Sequence, residues 1–458
     1  MVERIEGPKE SAVLSEALAF AGRGMNRRDF LKLAGAGAAG AALLGVAGCG
    51  GGGGGGGEFT FSFGPDPSGT LQELVDRFNT EYEGQYTASL REMPADTGQY
   101  FDQVRTEFQA GGGDIDLIGG DVIWPAQFAA NGYILDLSDR FTEEDRQAFL
   151  PGPVESNTYE GKVFGVPWFT DAGLLYYRQD LLEENGFSKP PRTWDELKEM
   201  ARTVQQSSGT QYGFVFQGAD YEGGVVNGVE YIYSAGGEVL DSNSPDTVVV
   251  DSPEAIEGLT IQRSMVEDGI APQSVATYKE QETQTAFLNG DAVFARNWPY
   301  LYALVADPEQ SQITPEQVSV APLPTANEGD QSASGLGGWN FMINAASDPE
   351  TQEAAYEFIR FATSEEQQRF RALEGSFLPA LQSLYEDQEI LDAIPVIALA
   401  PEALRNSKPR PVSPFYSDMS LEMGEQFNAS LNGEVSPEEA ARTLQGSLEG
   451  IIQQGQAV

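Results

Sequence analysis

Three glycines near the start of the chain have a spacing that could bind a nucleotide. Gly35, Gly37 and Gly40 form a G-x-G-x-x-G pattern. In a dinucleotide-binding loop such glycines let the backbone approach the pyrophosphate. That chemistry needs a strand before the pattern, a helix after it and an acidic residue roughly twenty positions later. Here a basic segment precedes the glycines and the apolar run continues to Ala47, so the context excludes a nucleotide site.

The same segment has the parts of an export signal. Arg27 and Arg28 precede a short apolar stretch, Leu33 to Gly48, which is followed by the only cysteine of the chain, Cys49. A membrane span usually needs about 20 apolar residues, more than this stretch offers. A charged region, a short apolar region and small residues before a cleavage point are instead typical of a signal peptide.

Two motifs in this segment resemble bacterial targeting signals. The sequence NRRDFLK, which contains Arg27 and Arg28, resembles the twin-arginine export motif, and VAGC resembles a lipobox, whose cysteine carries a lipid. We therefore expect residues 1–48 to be a signal peptide and residues 49–57 to be a lipidated Cys49 with a flexible glycine tether. The protein is then expected on the outer face of a cell membrane, held by that lipid. The alternative for Cys49 is an ordinary small residue.

The composition excludes several kinds of chemistry. The chain has no histidine and a single cysteine. Imidazole acid–base catalysis, Ser-His-Asp triads and His-based zinc sites are therefore ruled out, and so are disulfides and thiolate metal sites once Cys49 is modified. We expect neither a cofactor nor a metal ion.

The charge balance excludes one class of partner. The chain contains 27 basic and 70 acidic residues, for a net charge of -43. Such a surface repels phosphate backbones, so nucleic-acid binding is not expected. A solubilising role for these acids is the simple interpretation.

The elements that must position functional side chains follow from length and periodicity. A chain of 458 residues exceeds a usual single domain, which predicts two lobes. Alternating polar and apolar residues predict a strand over 58–63, and apolar residues at helical spacing predict a helix beyond it. The helical positions are Leu71, Leu74, Val75 and Phe78.

Further elements are predicted by the same signals. They are strands at 115–121, 292–296 and 339–345, a helix opening at the capping box Thr193-Trp194-Asp195-Glu196, and helices beginning after Asp348 and Ser436. Strands that alternate with helices predict an α/β fold with sheets covered on both faces. Ligands of such folds lie beyond the carboxyl ends of the strands, near Asp121, Asp171 and Trp298.

Six segments of the chain resemble a known family. They are GDIDLIGGDVIWPAQFAANGYILDL, GKVFGVPWFTDAGLLYYRQDLL, TWDELKEMA, FLNGDAVFARNWPYLYAL, GLGGWNFMINAASDPETQEAAYEFIRF and KPRPVSPFY. In this order they resemble the family 1 extracellular solute-binding proteins of bacterial and archaeal ABC importers, within them the trehalose/maltose-binding branch. The resemblance covers residues 58 to 458.

The resemblance implies a fold and a role. The fold is a two-lobed, periplasmic-binding-protein-like α/β fold with strand crossovers between the lobes and a ligand cleft. Lobe one is expected at 58–168 and 343–383, and lobe two at 172–338 and 384–458. The role is to bind a disaccharide or small oligosaccharide, of the α-linked glucose class, and to present it as a monomer to ABC permease subunits. No catalysis is implied.

The resemblance also implies which residues line the cleft. Sugar recognition uses aromatic faces against C–H patches, and charged or amide groups against hydroxyls. The residues expected to contact the ligand are Arg91, Asp121, Asp171, Tyr221, Glu222, Trp298, Gly338, Trp339 and Arg410. Gly338 is included because a missing side chain lets a ligand approach the backbone.

Each of these residues has a structural alternative. The tryptophans could be packing residues, the acids could be helix caps or surface charges, and the arginines could be in salt bridges.

Two other functions stay open as well. An exported glycoside hydrolase would place two of the acids about 5–5.5 or 6.5–9.5 Å apart. The same fold could also bind another small solute, such as a peptide, a polyamine or a metal ion.

The lipid anchor gives the first test. Cys49→Ser removes the thiol that carries the lipid, so the protein should appear in the medium or stay unprocessed at the membrane. Cell fractionation with a size comparison on gels measures both. Normal processing with unchanged membrane retention would contradict the assignment of Cys49.

Overall fold

The fold is described from a computed structural model. The structure describes residues 57–242 and 244–456, which lie within the compact unit Gly54–Val458. The predicted signal peptide, the export residues Arg27 and Arg28 and the lipidation site Cys49 lie outside the described residues. Among the residues that are described, no helix is long and apolar enough to cross a membrane.

The strands of the described residues are β1 (Gly57–Phe63), β2 (Tyr86–Glu92), β3 (Leu117–Asp121), β4 (Thr158–Tyr159), β5 (Lys162–Val163), β6 (Val166–Ala172), β7 (Leu174–Arg178), β8 (Tyr212–Val215), β9 (Leu240–Asp241), β10 (Ser244–Val248), β11 (Ala292–Asn297), β12 (Val318–Ala321), β13 (Ser334–Ile343), β14 (Leu378–Pro379) and β15 (Ser407–Lys408).

The α-helices of the described residues are α1 (Thr70–Glu81), α2 (Thr97–Gln109), α3 (Pro125–Ala130), α4 (Glu143–Arg146), α5 (Pro151–Ser156), α6 (Gln179–Glu184), α7 (Trp194–Ser208), α8 (Glu222–Ser234), α9 (Pro253–Glu267), α10 (Glu280–Leu288), α11 (Leu301–Ala306), α12 (Pro349–Ala362), α13 (Glu365–Gly375), α14 (Gln388–Ala393), α15 (Pro395–Arg405), α16 (Tyr416–Asn432) and α17 (Pro437–Gln456).

Two sheets organise the chain. The larger has seven strands in the order β14-β6-β13-β3-β1-β2, with β15 paired to β13, and the smaller has four strands in the order β12-β7-β11-β8. In the larger sheet β1 is parallel to β2 and β3, whereas β13 is antiparallel to β3 and β6. The carboxyl ends of β1, β3 and β6 therefore share one edge, where ligands of such sheets bind.

An aromatic core supports the larger sheet. Phe61 is fully buried, with its ring centroid 5.5 Å from that of Phe341 and 5.3 Å from that of Phe358 on α12. Phe59 packs against Phe78 of α1 at 6.0 Å. These edge-on and tilted pairs are the favoured geometries of buried rings. The strand and the helix predicted at 58–63 and 71–78 are confirmed by β1 and α1.

The predicted helix starts are present, with one difference. Asp348 and Ser436 cap α12 and α17, and the Thr193 hydroxyl accepts from the Glu196 amide at the start of α7. The Glu196 carboxylate accepts from the Arg192 amide at 2.7 Å. The predicted capping box is therefore only half formed, because its carboxylate caps the residue one position earlier.

The chain passes between the sheets at two strands. β6 stays in the larger sheet to Ala172, and only Gly173 separates it from β7 of the smaller sheet. β13 is in the larger sheet from Ser334 onward. Both strands extend beyond the predicted lobe boundaries at 168 and 343, and we propose that the crossovers lie at Gly173 and before Ser334.

The tether differs from its predicted length by one residue. Gly57, assigned to the tether, is the first residue of β1 and pairs with Tyr86. A Cβ at this position would lie 2.9 Å from the side chain of Ala354. The glycine is therefore needed for packing against α12. The sequence does not indicate this, because Gly57 is the last of a run of glycines.

Candidate functional site

Arg410 bonds to two other predicted ligand residues. Its Nη2 donates to Asp121 Oδ1 at 2.6 Å, and its Nη1 donates to Glu222 Oε1 at 2.6 Å. Glu222 also accepts from the Tyr416 hydroxyl at 2.7 Å and from Ser420. All three charged residues are buried. The predicted alternative, a salt bridge for Arg410, is therefore present.

The fold explains how residues so distant in sequence meet. Asp121 is the last residue of β3, and Glu222 is the first residue of α8, where a carboxylate is favoured by the helix dipole. Arg410 follows β15, which runs beside the start of β13. One guanidinium thus connects the carboxyl end of β3 in the larger sheet with α8, the helix that comes after β8 of the smaller sheet.

Burial and charge oppose each other in this cluster. Burial alone would lower the pKa of Arg410, but the carboxylates of Asp121 and Glu222 more than offset it and raise that pKa. Burial raises the pKa of Glu222, with a further contribution from the Asp121 carboxylate. Two acids share one arginine here, so removing Arg410 leaves uncompensated charge, which typically costs about 3–5 kcal/mol.

Asp171 is a buried acid of a different kind. It is 8% exposed, and no residue of the described chain forms a hydrogen bond with its carboxyl group. Burial raises its pKa to about 8, against the opposing charge of Arg296. Near neutral pH the group is therefore largely protonated and offers both an O–H donor and acceptor oxygens.

Trp298 lies next to Asp171, across Gly337. A Cβ on Gly337 would be 3.0 Å from the Trp298 ring and 3.1 Å from Asp171 Cβ. The guanidinium carbon of Arg296 lies 4.0 Å from the ring centre of Trp298, a favourable cation–π distance. The indole is half-buried, so part of it is accessible to a ligand.

Trp339 has a more crowded environment than predicted. It is a strand residue of β13, opposite Asp121 on β3. Its ring centroid is 4.9 Å from that of Phe63 and 5.7 Å from that of Trp124. It is half-buried, so both the packing role and the ligand role that the sequence left open are consistent with its position.

Gly338 is required by the sheet. Its φ is +124°, and a Cβ there would lie 2.6 Å from the backbone oxygen of Phe169 on β6. In the structure the neighbouring strand β6 approaches this glycine. An additional approach by a ligand stays a prediction.

Two other predicted ligand residues lie in different settings. Tyr221 precedes α8, and its hydroxyl donates to Glu280 Oε2 at 2.8 Å. Arg91 is on the edge strand β2 and donates to both carboxylate oxygens of Glu107, at 2.8 and 2.7 Å. The structure does not bring Arg91 to the Arg410 cluster, because β1 lies between β2 and β3.

Comparison with known proteins identifies the family. Residues 64–369 match the family described as bacterial extracellular solute-binding protein. A probable ABC transporter-binding protein of Deinococcus radiodurans is 32% identical over 377 residues, 81% of this chain and 87% of that protein.

The chain belongs to the bacterial extracellular solute-binding protein family.

Solved structures of two relatives share the fold of this solute-binding protein. The maltose-bound MalE3 protein of T. maritima has a TM-score of 0.81 and 38% identity, covering 85% of this chain and 98% of its own. The GacH receptor of Streptomyces glaucescens, solved unliganded and with acarbose, has a TM-score of 0.77 and 25% identity, covering 87% and 99%. The two-lobed α/β fold predicted from the sequence is confirmed.

Membership also bears on export and catalysis. Residues 24–43 match the signal sequence of the twin-arginine translocation pathway, which confirms the export prediction made from Arg27 and Arg28. Members of the family bind solutes and are not enzymes, so the prediction of no catalysis is confirmed at that level. Lipid attachment to Cys49 stays a prediction.

Some residues of the site were missed from the sequence. Arg296 forms a buried ion pair with Glu230 of α8, at 2.6 and 2.8 Å, and stacks on Trp298. A signal was available, because Arg296 is a charge within the apolar strand Ala292–Asn297. Glu280 and Lys279, which contact Tyr221, carried no such signal.

A large cavity is lined in part by Arg410. Its volume is about 890 Å³, and its walls are mainly apolar, including Val122, Leu150, Leu336, Leu404 and Val412. Neither Asp171 nor either of the predicted ligand tryptophans lines it. The region of Asp171 and Trp298 is the stronger candidate, because it combines a buried carboxyl group that has no hydrogen bond among the described residues with a half-buried indole.

The pKa of Asp171 predicts a pH dependence of stability. The folded protein holds this proton up to about pH 8, whereas the unfolded chain releases it near 3.8. Between these values the unfolded state binds fewer protons, so stability falls as the pH rises. Denaturant unfolding between about pH 5 and 9 should show a larger loss for the wild type than for Asp171→Asn.

An exposed acid provides the control. Glu425→Gln removes a carboxylate on the surface of α16 and should leave the wild-type pH profile unchanged. Identical profiles for the wild type and Asp171→Asn would show that Asp171 is not protonated in the folded protein.

Proposed function

We propose that this solute-binding protein is the sugar-binding component of an ABC importer. Its ligand is a neutral, α-linked glucose disaccharide of the trehalose/maltose class, bound in the cleft between the lobes. The protein acts as a monomer, is anchored to the outer face of the cell membrane through Cys49, and passes the sugar to the permease subunits.

One observation carries the proposal. Asp171 is buried, lacks a hydrogen-bond partner among the described residues and lies next to the half-buried indole of Trp298. A buried polar group without a partner needs an explanation, and a ligand with hydroxyl groups supplies the missing bonds. The indole offers the face on which the C–H side of a sugar ring can stack.

The charges of the cluster favour a neutral ligand. Asp121 and Glu222 are engaged by Arg410, and Asp171 is largely protonated near neutral pH. A polyamine would need free carboxylates, which these three acids do not provide. The maltose-bound and acarbose-bound states of the two relatives support a glucose-based ligand.

Calorimetric titration tests the ligand and the site. Maltose, trehalose, sucrose and glucose are titrated into the wild type, Trp298→Ala, Asp171→Asn and Asp171→Ala. Burying ~80 Å² of apolar surface on the indole contributes about 2 kcal/mol, so Trp298→Ala should weaken disaccharide binding roughly thirtyfold. Asp171→Asn keeps a donor and an acceptor, as the protonated carboxyl does, and should bind about as the wild type does near neutral pH. Asp171→Ala removes both groups and should weaken binding.

The large apolar cavity supplies the control variant. Val412→Ala changes a wall of that cavity at a side chain that is 67% exposed, and should leave sugar affinity unchanged. If Val412→Ala weakens binding while Trp298→Ala does not, the sugar binds in the cavity. If the wild type binds none of the sugars at millimolar concentration, the ligand class is wrong.

A further inference from the structure

Glu280, the first residue of α10, contacts two of the predicted ligand residues. Its Oε2 accepts from the Tyr221 hydroxyl at 2.8 Å, and its Oε1 accepts from Trp298 Nε1 at 3.5 Å. Tyr221 and Trp298 belong to different elements, the start of α8 and the loop after β11. A single carboxylate therefore fixes the relative positions of two aromatic rings.

The packing around this carboxylate is tight. A Cβ on Gly223 would lie 2.1 Å from the Tyr221 hydroxyl and 2.9 Å from Glu280 Oε1. A side chain at position 223 would therefore displace the Tyr221 hydroxyl from Glu280. Burial, together with the Glu280 carboxylate, raises the pKa of Tyr221, so its hydroxyl stays protonated and donates to Glu280.

The preceding residue links the same helix end to the larger sheet. The Lys279 ammonium forms an ion pair with Asp96, which caps α2 by accepting from the Gln99 amide at 2.9 Å. The ammonium also lies 4.8 Å from the ring centre of Tyr221. The start of α10 thus contacts both sides of the proposed cleft.

We propose that Glu280 is a positioning residue of the ligand cleft: through hydrogen bonds to Tyr221 and Trp298 it holds both rings in the orientation in which they meet the sugar. The inference rests on the proposed sugar-binding function. Its physical basis is preorganisation, because rings already fixed by the protein need not be ordered when the ligand binds.

A double-mutant cycle on maltose binding tests the role. Glu280→Ala should weaken maltose binding about tenfold, within the range for loss of hydrogen bonds to a charged group. Tyr221→Phe should weaken it less, because one hydrogen bond to Glu280 remains. The double variant should be no weaker than Glu280→Ala alone, since both changes remove the same interaction. Glu280→Gln, which keeps one acceptor oxygen, should bind with intermediate affinity.

The neighbouring residue Gln281 gives a matched control. Its side chain is exposed and bonds only within α10, so Gln281→Ala should bind maltose as the wild type does. If the effects of Glu280→Ala and Tyr221→Phe multiply in the double variant, the two residues act independently and the proposal is overturned.

A second readout does not depend on the sugar. Acrylamide quenching of the Trp298 fluorescence is obtained by subtracting the signal of Trp298→Phe from that of the full protein. Glu280→Ala should increase the quenching constant, and Gln281→Ala should not. If the wild type fails to bind any sugar, the proposed function fails, and this measurement alone decides the role of Glu280. An unchanged quenching constant for Glu280→Ala would refute positioning.

Discussion

The buried guanidinium of Arg410 is the contact on which the arrangement of the cleft depends. It bonds at once to Asp121, at the carboxyl end of β3, and to Glu222, at the start of α8. Removing one member of a buried ion pair typically costs about 3–5 kcal/mol, because the remaining charge is left without a partner. The two elements are therefore held together, and this contact is one of those that fix α8 relative to the larger sheet, with the bond from the Gly335 amide to Glu230.

The position of α8 determines the surroundings of the proposed ligand site. Every residue of this helix is buried. Glu230, two turns after Glu222, pairs with Arg296, whose guanidinium lies against the ring of Trp298. With Asp121 and Glu222 engaged by Arg410, Asp171 is the buried acid left without a hydrogen bond among the described residues. A cleft with paired charges, one protonated carboxyl and an accessible indole suits a neutral ligand with hydroxyl groups.

The sequence predicted local features well and long-range contacts poorly. The strand end at Asp121 followed from hydrophobic patterns, which depend on neighbouring residues, and the strand predicted at 292–296 ends one residue later, at Asn297. The family resemblance supplied Arg410 and Glu222 as separate ligand contacts, but no pattern indicated that they bond to each other across 188 positions of the chain. The sequence could not show that Arg91 lies away from the Arg410 cluster, because its pairing with Glu107 depends on how α2 packs on the sheet. Glu280 and Lys279 were missed for the same reason.

A crystal structure of the protein grown with maltose tests the central claim most directly. The account predicts sugar density in the cleft, with one ring against the face of Trp298 and hydroxyl groups within hydrogen-bond distance of Asp171. The ion pairs of Arg410 with Asp121 and Glu222 should be retained. Sugar density in the apolar cavity lined by Leu150 and Leu404, with no contact to Trp298 or Asp171, would contradict the account.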